Sequence, residues 1–170
     1  MKTRKSNTRA VSPMISTTMI FALVIFVIAL ITLTGLPLIE KFQDQIKFEQ
    51  AKNDLEKLNI VIKNVLLAEN SKQEIQFNLS EMQLDVNKDS EKIEISYELK
   101  EASFNENNYE KKLNEMYWKR NGETMKLGLD YSNSFINLNS NLTMMNGVMQ
   151  ILITNHGMDE NSTQVSITKK

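Results

Sequence analysis

Few side chains in this 170-residue sequence are of types that do chemistry, and their spacing limits what they can do. The one histidine, His156, sits in Asn155-His156-Gly157, a turn-like triplet. No serine–carboxylate pair or second imidazole accompanies it at the spacing of a catalytic triad or a zinc site. It reads as a turn histidine. Asp85, Asn87 and Asp89 offer oxygens at alternate positions, as the opening of a calcium loop does. Ser90 stands where that loop needs glycine, and Ser96 where it needs the closing glutamate, so a polar hairpin loop is expected instead. Cysteine is absent, which removes disulfides, thiolate metal sites and a cysteine nucleophile. There is also no glycine-rich phosphate loop. The reading is a protein without catalytic, cofactor or metal residues.

Three asparagines remain as candidates for modification. Asn78-Leu79-Ser80, Asn141-Leu142-Thr143 and Asn161-Ser162-Thr163 are N-glycosylation sequons. Their use depends on the side of a membrane they occupy, and that depends on the N-terminal stretch. Asn161 lies in a turn-rich segment, whereas Asn78 and Asn141 lie near expected strands.

From Ala10 to Ile39 the chain carries no charge, and Met19 to Leu33 is apolar apart from Thr32. A bilayer core needs roughly 20 apolar residues in a helix. A single segment inside lipid satisfies its backbone only as a helix. Lys2, Arg4, Lys5 and Arg9 precede the run and Glu40 and Lys41 follow it, which places the N-terminus in the cytoplasm and the remainder outside. Secretory signals have apolar regions of about 7 to 15 residues, so cleavage behind this run is not expected. The run is either an uncleaved anchor or a helix that stays on the mature protein after cleavage in front of it.

The left edge of the run, Arg9-Ala10-Val11-Ser12-Pro13 followed by Met14-Ile15, resembles the class III signal peptide of archaeal type IV pilins. The resemblance covers about the first 40 residues. It implies a prepilin peptidase that cuts after Ala10, with Arg9 and Ala10 as the recognition pair and Val11 as the new N-terminus. It also implies identical or related pilin subunits as partners of the N-terminal helix. One position departs from the bacterial pattern: Ile15, the fifth mature residue, stands where bacterial pilins typically carry Glu. Local physics independently starts a helix here, with Ser12 as the cap and Pro13 at the first helical position.

Gly35 and Pro37 predict a kink or short melted turn at the outer end of the run. Beyond it, Phe48, Ala51, Leu55, Leu58, Ile62 and Val65 recur at three- and four-residue spacing, while Glu49, Lys52, Asp54, Glu56, Lys57 and Lys63 fall largely off that stripe. An amphipathic helix over 40–70 should pack this stripe on the protein's own outer domain.

After Asn70 the period becomes two. Ile75, Phe77 and Leu79 alternate, the phase slips at Ser80-Glu81, and Met82, Leu84 and Val86 resume, which suggests a bulge or corner. Ile93, Ile95, Tyr97 and Leu99 mark the next strand. Asn121-Gly122 predicts a hairpin that sets Arg120 opposite Glu123, Trp118 opposite Met125 and Met116 opposite Leu127. Asn146-Gly147 predicts another, with Met144 opposite Met149 and Leu142 opposite Ile151. Val165 and Ile167 mark a last strand, and Glu101 to Lys112 is polar and ambiguous.

The expected fold class is therefore α+β: a long N-terminal helix, transmembrane and then amphipathic, followed by an antiparallel β-sheet or β-sandwich. The expected divisions are a class III-type signal at 1–10, a membrane or filament-core helix at 11–39, the amphipathic helix at 40–70 and an extracytoplasmic β domain at 71–170. Formal net charge is -1. Residues 1–10 hold four of the 20 Lys+Arg and none of the 21 Asp+Glu, which leaves -5 on the remainder. An acidic outer part argues against nucleic acid as a partner. The function that the resemblance implies is a pilin-like subunit of a surface filament used in attachment. The alternative is an uncleaved, single-pass surface protein with a β-rich binding domain.

Overall fold

The computed structural model describes residues 13–100, 110–113, 115–159 and 161–170. The chain divides into two compact units, Met1–Glu40 and Lys41–Lys170. One helix, α1 (Pro13–Val65), supplies the described part of the first unit and the opening of the second. The strands that follow are β1 (Lys72–Asn87), β2 (Lys92–Glu98), β3 (Glu110–Leu113), β4 (Met116–Asn121), β5 (Thr124–Asp130), β6 (Ile136–Leu138), β7 (Leu142–Asp159) and β8 (Ser162–Lys169). They form one eight-stranded sheet in the order β3-β4-β5-β2-β1-β7-β8-β6. Every pairing is antiparallel except β6 with β8. The fold is α+β, as the change of period after Asn70 requires, with a sheet rather than a sandwich.

The amphipathic stripe forms the core with one face of that sheet. Ala51, Leu55, Leu58, Ile62 and Val65 are fully buried, in one cluster with Phe77, Leu79, Ile93, Ile95, Leu127 and Ile153. Each large aliphatic side chain buried this way contributes about 1.5–3 kcal/mol. Phe48 sits edge-on to Trp118 with ring centroids 6.0 Å apart. The helix ends at Val65, five residues before the expected end, where side chains of β7 and of the segment after the helix take up its last carbonyls. Asn155 of β7 is buried, and its Nδ2 donates to the carbonyls of Val65 at 3.1 Å and Ala68 at 3.0 Å. Ser71 Oγ donates to the same Val65 carbonyl, and Asn70 takes the left-handed conformation, φ 59°, common just past a helix end.

The sheet is stepped. β1 pairs with β7 from Lys72 to Val86, but with β2 only from Gln83 onward. β7 in turn pairs with β8 only from Ile151 onward. Two half-sheets thus share a long β1–β7 ribbon, which is irregular between Leu79 and Gln83. There lies the phase slip read from Ser80-Glu81, and Glu81 has φ 57°. The Asn146-Gly147 hairpin does not form. Gly147, at φ 110°, lies opposite Leu79 inside one continuous 18-residue strand. Its freedom serves the bend beside the bulge, the other common use of a strand glycine.

At Asn121-Gly122 a hairpin does form, one residue later than expected. Asn121 pairs with Thr124, Arg120 with Met125, Trp118 with Leu127 and Met116 with Leu129. The two turn residues are Gly122 and Glu123, with φ 62° at Gly122, the glycine-first arrangement of a type II′ turn. The Arg120–Glu123 cross-strand pair is replaced by Arg120 Nε donating to the Gly122 carbonyl. The apolar face survives, since moving both strands by one residue keeps Met116, Trp118, Met125 and Leu127 on one side.

On the opposite face, Tyr117 lies over Gly128. A Cβ on Gly128 would stand 2.7 Å from the Tyr117 ring, so only glycine lets the ring lie flat there. The Tyr117 hydroxyl donates to Glu94, and Lys92 Nζ sits 5.6 Å from the ring centroid.

Candidate membrane segment and surface sites

In the first unit, Pro13 is the first helical residue, the position its fixed φ favours. The helix then continues without interruption through Gly35 and Pro37, so no melted turn forms at Pro37. Regularity is kept although Pro37 has no N–H to donate. The hydroxyls of Thr32 and Thr34 turn back to the carbonyls of Ile28 at 2.9 Å and Leu30 at 2.8 Å, which leaves these threonines with little polarity to present sideways. Apolar side chains point outward around the helix: Phe21 is 67% exposed and Leu33 73%. The segment is long and apolar enough to cross a membrane, and none of its most apolar stretch is buried. Arg9, Ala10 and Val11, the expected processing residues, lie outside the described residues.

Compared with known proteins, the chain matches no family model, no curated protein and no solved structure. Its functional reading rests on its own residues.

The remaining candidates fall on the second unit. His156 is not in a turn. It occupies the irregularity of β7 against β8, between Asn155 and Met158, where Gly157 adopts φ 93°. Its Nε2 lies 2.8 Å from Ser166 Oγ, a cross-strand contact at an exposed position. Asp85, Asn87 and Asp89 form the polar hairpin expected of them. Asn87 Oδ1 accepts the N–H groups of Asp89 and Ser90, and Asp85 Oδ2 accepts from Gln83. Among the described residues, no three histidines or carboxylates converge as a metal set would.

All three sequon asparagines are exposed. Asn78 lies within β1, paired with Val148, and its carbonyl accepts from Gln50 of α1. Asn161 lies in the connection between β7 and β8, as its turn-rich sequence suggests. Asn141 immediately precedes β7, and its Oδ1 accepts the Lys88 N–H at 2.9 Å.

Buried polar residues are what the sequence pattern missed. Asp44 is 1% exposed, one turn before Phe48 on the same stripe, and both its oxygens accept the Lys100 N–H, at 3.2 and 3.1 Å. Asp54 is 8% exposed, although its charge places it off the stripe; it borders Leu55 and follows Ala51 by three, at the edge of the packed face. Its Oδ2 has no partner among the described residues, and burial pushes its pKa up, with Lys57 at 3.8 Å opposing only weakly. Glu115 receives Lys63 Nζ at 2.8 Å and Asn59 Nδ2 at 3.2 Å. The Lys63 bond is the main reason its pKa lies below the usual carboxylate value. Asn59 Oδ1 in turn accepts the hydroxyl of fully buried Tyr131, whose pKa burial raises. Asp44, Asn59, Lys63, Glu115 and Tyr131 thus tie the helix to the rest of the second unit.

Proposed function

We propose that this chain is a type IV pilin-like structural subunit, held in the membrane as a precursor, trimmed by a prepilin peptidase after Ala10, and assembled through its N-terminal helix into a surface filament. The observation that carries the reading is the division of α1. Its first part is uncharged and apolar on all sides, while the part beyond Lys41 buries one stripe in a self-contained sheet domain. An all-round apolar helix of this length must be surrounded by lipid or by other apolar helices. The Arg9-Ala10-Val11 edge supplies a means of passing from one to the other. Identical or related subunits are then its partners, and the sheet domain coats the filament and meets the surfaces to which the cell attaches. Before processing, four N-terminal cations hold that end in the cytoplasm, with the sheet domain and its three sequons outside.

The test is the mature N-terminus when the chain is expressed in a membrane together with a prepilin peptidase. A chain beginning at Val11, lost when Arg9 and Ala10 are replaced, supports the reading. A chain that keeps residues 1–10 beside an active peptidase is a permanent anchor with an outward β-rich binding domain.

A further inference from the structure

On the solvent face of the sheet, the β1–β2 hairpin and the start of β7 enclose a polar cleft of about 390 Å³, within the size range of small-ligand sites. Asp85, Asn87, Ser90, Asn141 and Thr143 are on its wall. Two of these residues begin and end a sequon. Asn141 is fixed there because its Oδ1 holds the backbone N–H of Lys88 in the neighbouring hairpin, which leaves Nδ2 as the unengaged end of the amide. Asp85 uses Oδ2 for Gln83, and neither its other oxygen nor the hydroxyls of Ser90 and Thr143 have a protein partner among the described residues. Neither Asn78 nor Asn161 lines this cleft.

We infer that Asn141 is the N-glycosylation site of this protein, and that the first sugars of its glycan dock in the adjoining cleft. In the transfer, Asn141 Nδ2 forms a bond to the anomeric carbon of a lipid-linked oligosaccharide. The bond from that carbon to the lipid phosphate breaks, and the amide proton leaves with the phosphate. The attached sugar presents ring hydroxyls to Asp85, Ser90 and Thr143, groups that otherwise face water. Each sugar–protein hydrogen bond is modest in water, but tethering makes the contact intramolecular and raises its effective concentration to about the millimolar range. The glycan then clamps the β1–β2 hairpin to the start of β7. This inference rests on the outward placement of the sheet domain proposed above.

The full chain is expressed in the membrane of a host that glycosylates Asn-X-Ser/Thr, and occupancy of each sequon is read by glycopeptide mass spectrometry. Amide hydrogen exchange then compares the glycosylated protein, the same protein after endoglycosidase treatment, and the glycosylated Asp85→Ala/Ser90→Ala variant. The expected result is a glycan on Asn141 and roughly threefold or slower exchange in the 88–91 loop, lost on deglycosylation and in the variant while exchange in β8 stays unchanged. Glycans on Asn78 or Asn161 with none on Asn141 overturn the site but leave the outward placement standing. Bare asparagines at all three overturn the site, and the outward placement falls with it if protease added outside intact cells leaves the sheet domain uncut. A glycan on Asn141 that leaves exchange in the loop unaltered overturns the docking.

Discussion

The two parts of α1 are equally helical for different reasons. From Ile15 to Ile39 the helix is apolar on every side, whereas from Phe48 to Val65 it is apolar on one side and that side is buried. In the second region, helix and sheet stabilise each other, since Leu55, Leu58 and Ile62 are fully buried in one cluster with sheet residues. In the first, the backbone satisfies itself and the side chains need an apolar medium. The distribution of side chains around a helix, more than its length, thus decides which surroundings suit it.

The two regions should answer to different substitutions. Leu58→Ala should destabilise the sheet domain by about 2–5 kcal/mol, through lost burial and the cavity left behind, without altering membrane partition. Urea unfolding of the detergent-solubilised chain measures the first effect and membrane fractionation the second. Ile28→Arg should do the reverse. Its insertion penalty is about 2.5–3.5 kcal/mol at a helix centre, and the unfolding midpoint of the sheet domain should not move. Equal effects of both substitutions on both readouts would remove the distinction.

Asn155→Ala probes the end of the buried helix. It strips a partner from the Val65 and Ala68 carbonyls and should cost about 1–3 kcal/mol, again by urea unfolding.

Asp54 and Glu115 give smaller effects of opposite sign. The folded pKa of Asp54 lies above its unfolded value, so its ionised form weakens the fold at neutral pH, and that penalty lifts as pH falls through the folded pKa. Asp54→Asn should therefore stabilise the domain at pH 7, with the advantage shrinking in acid. Glu115, with its pKa lowered mainly by the Lys63 hydrogen bond, adds stability above its unfolded pKa that is lost as pH falls through the folded value. Glu115→Gln should be less stable than the natural chain at pH 7 and approach it in acid. Unfolding midpoints across this pH range read both.

The sequence made the helical stripe, the bulge at Ser80-Glu81 and most strands legible, because burial on one face imposes periods of 3.6 and 2 that a single chain displays. It misled where a local signal has two physical uses. Asn-Gly marks a two-residue hairpin, but a strand glycine also serves a bend, and Gly147 takes the second role because β1 runs alongside it without a break. Asn121 stays in its strand because Gly122 alone supplies the positive φ of a glycine-first turn. His156-Gly157 resembles a turn for the same reason and is a strand irregularity. Asp54 shows the limit of charge as a guide to exposure, since its position beside Leu55 outweighs its polarity. Of the candidate sites, the apolar run was evident from composition, whereas the cleft beside Asn141 was not: its walls come from two strand regions more than fifty residues apart in the chain.

The mature N-terminus separates a filament subunit from a permanent anchor. Mass spectrometry of the membrane-expressed chain with its peptidase should find Val11 first, with residues 1–10 removed. An N-terminal peptide that still contains Arg9 and Ala10 joined to Val11 would contradict the filament reading.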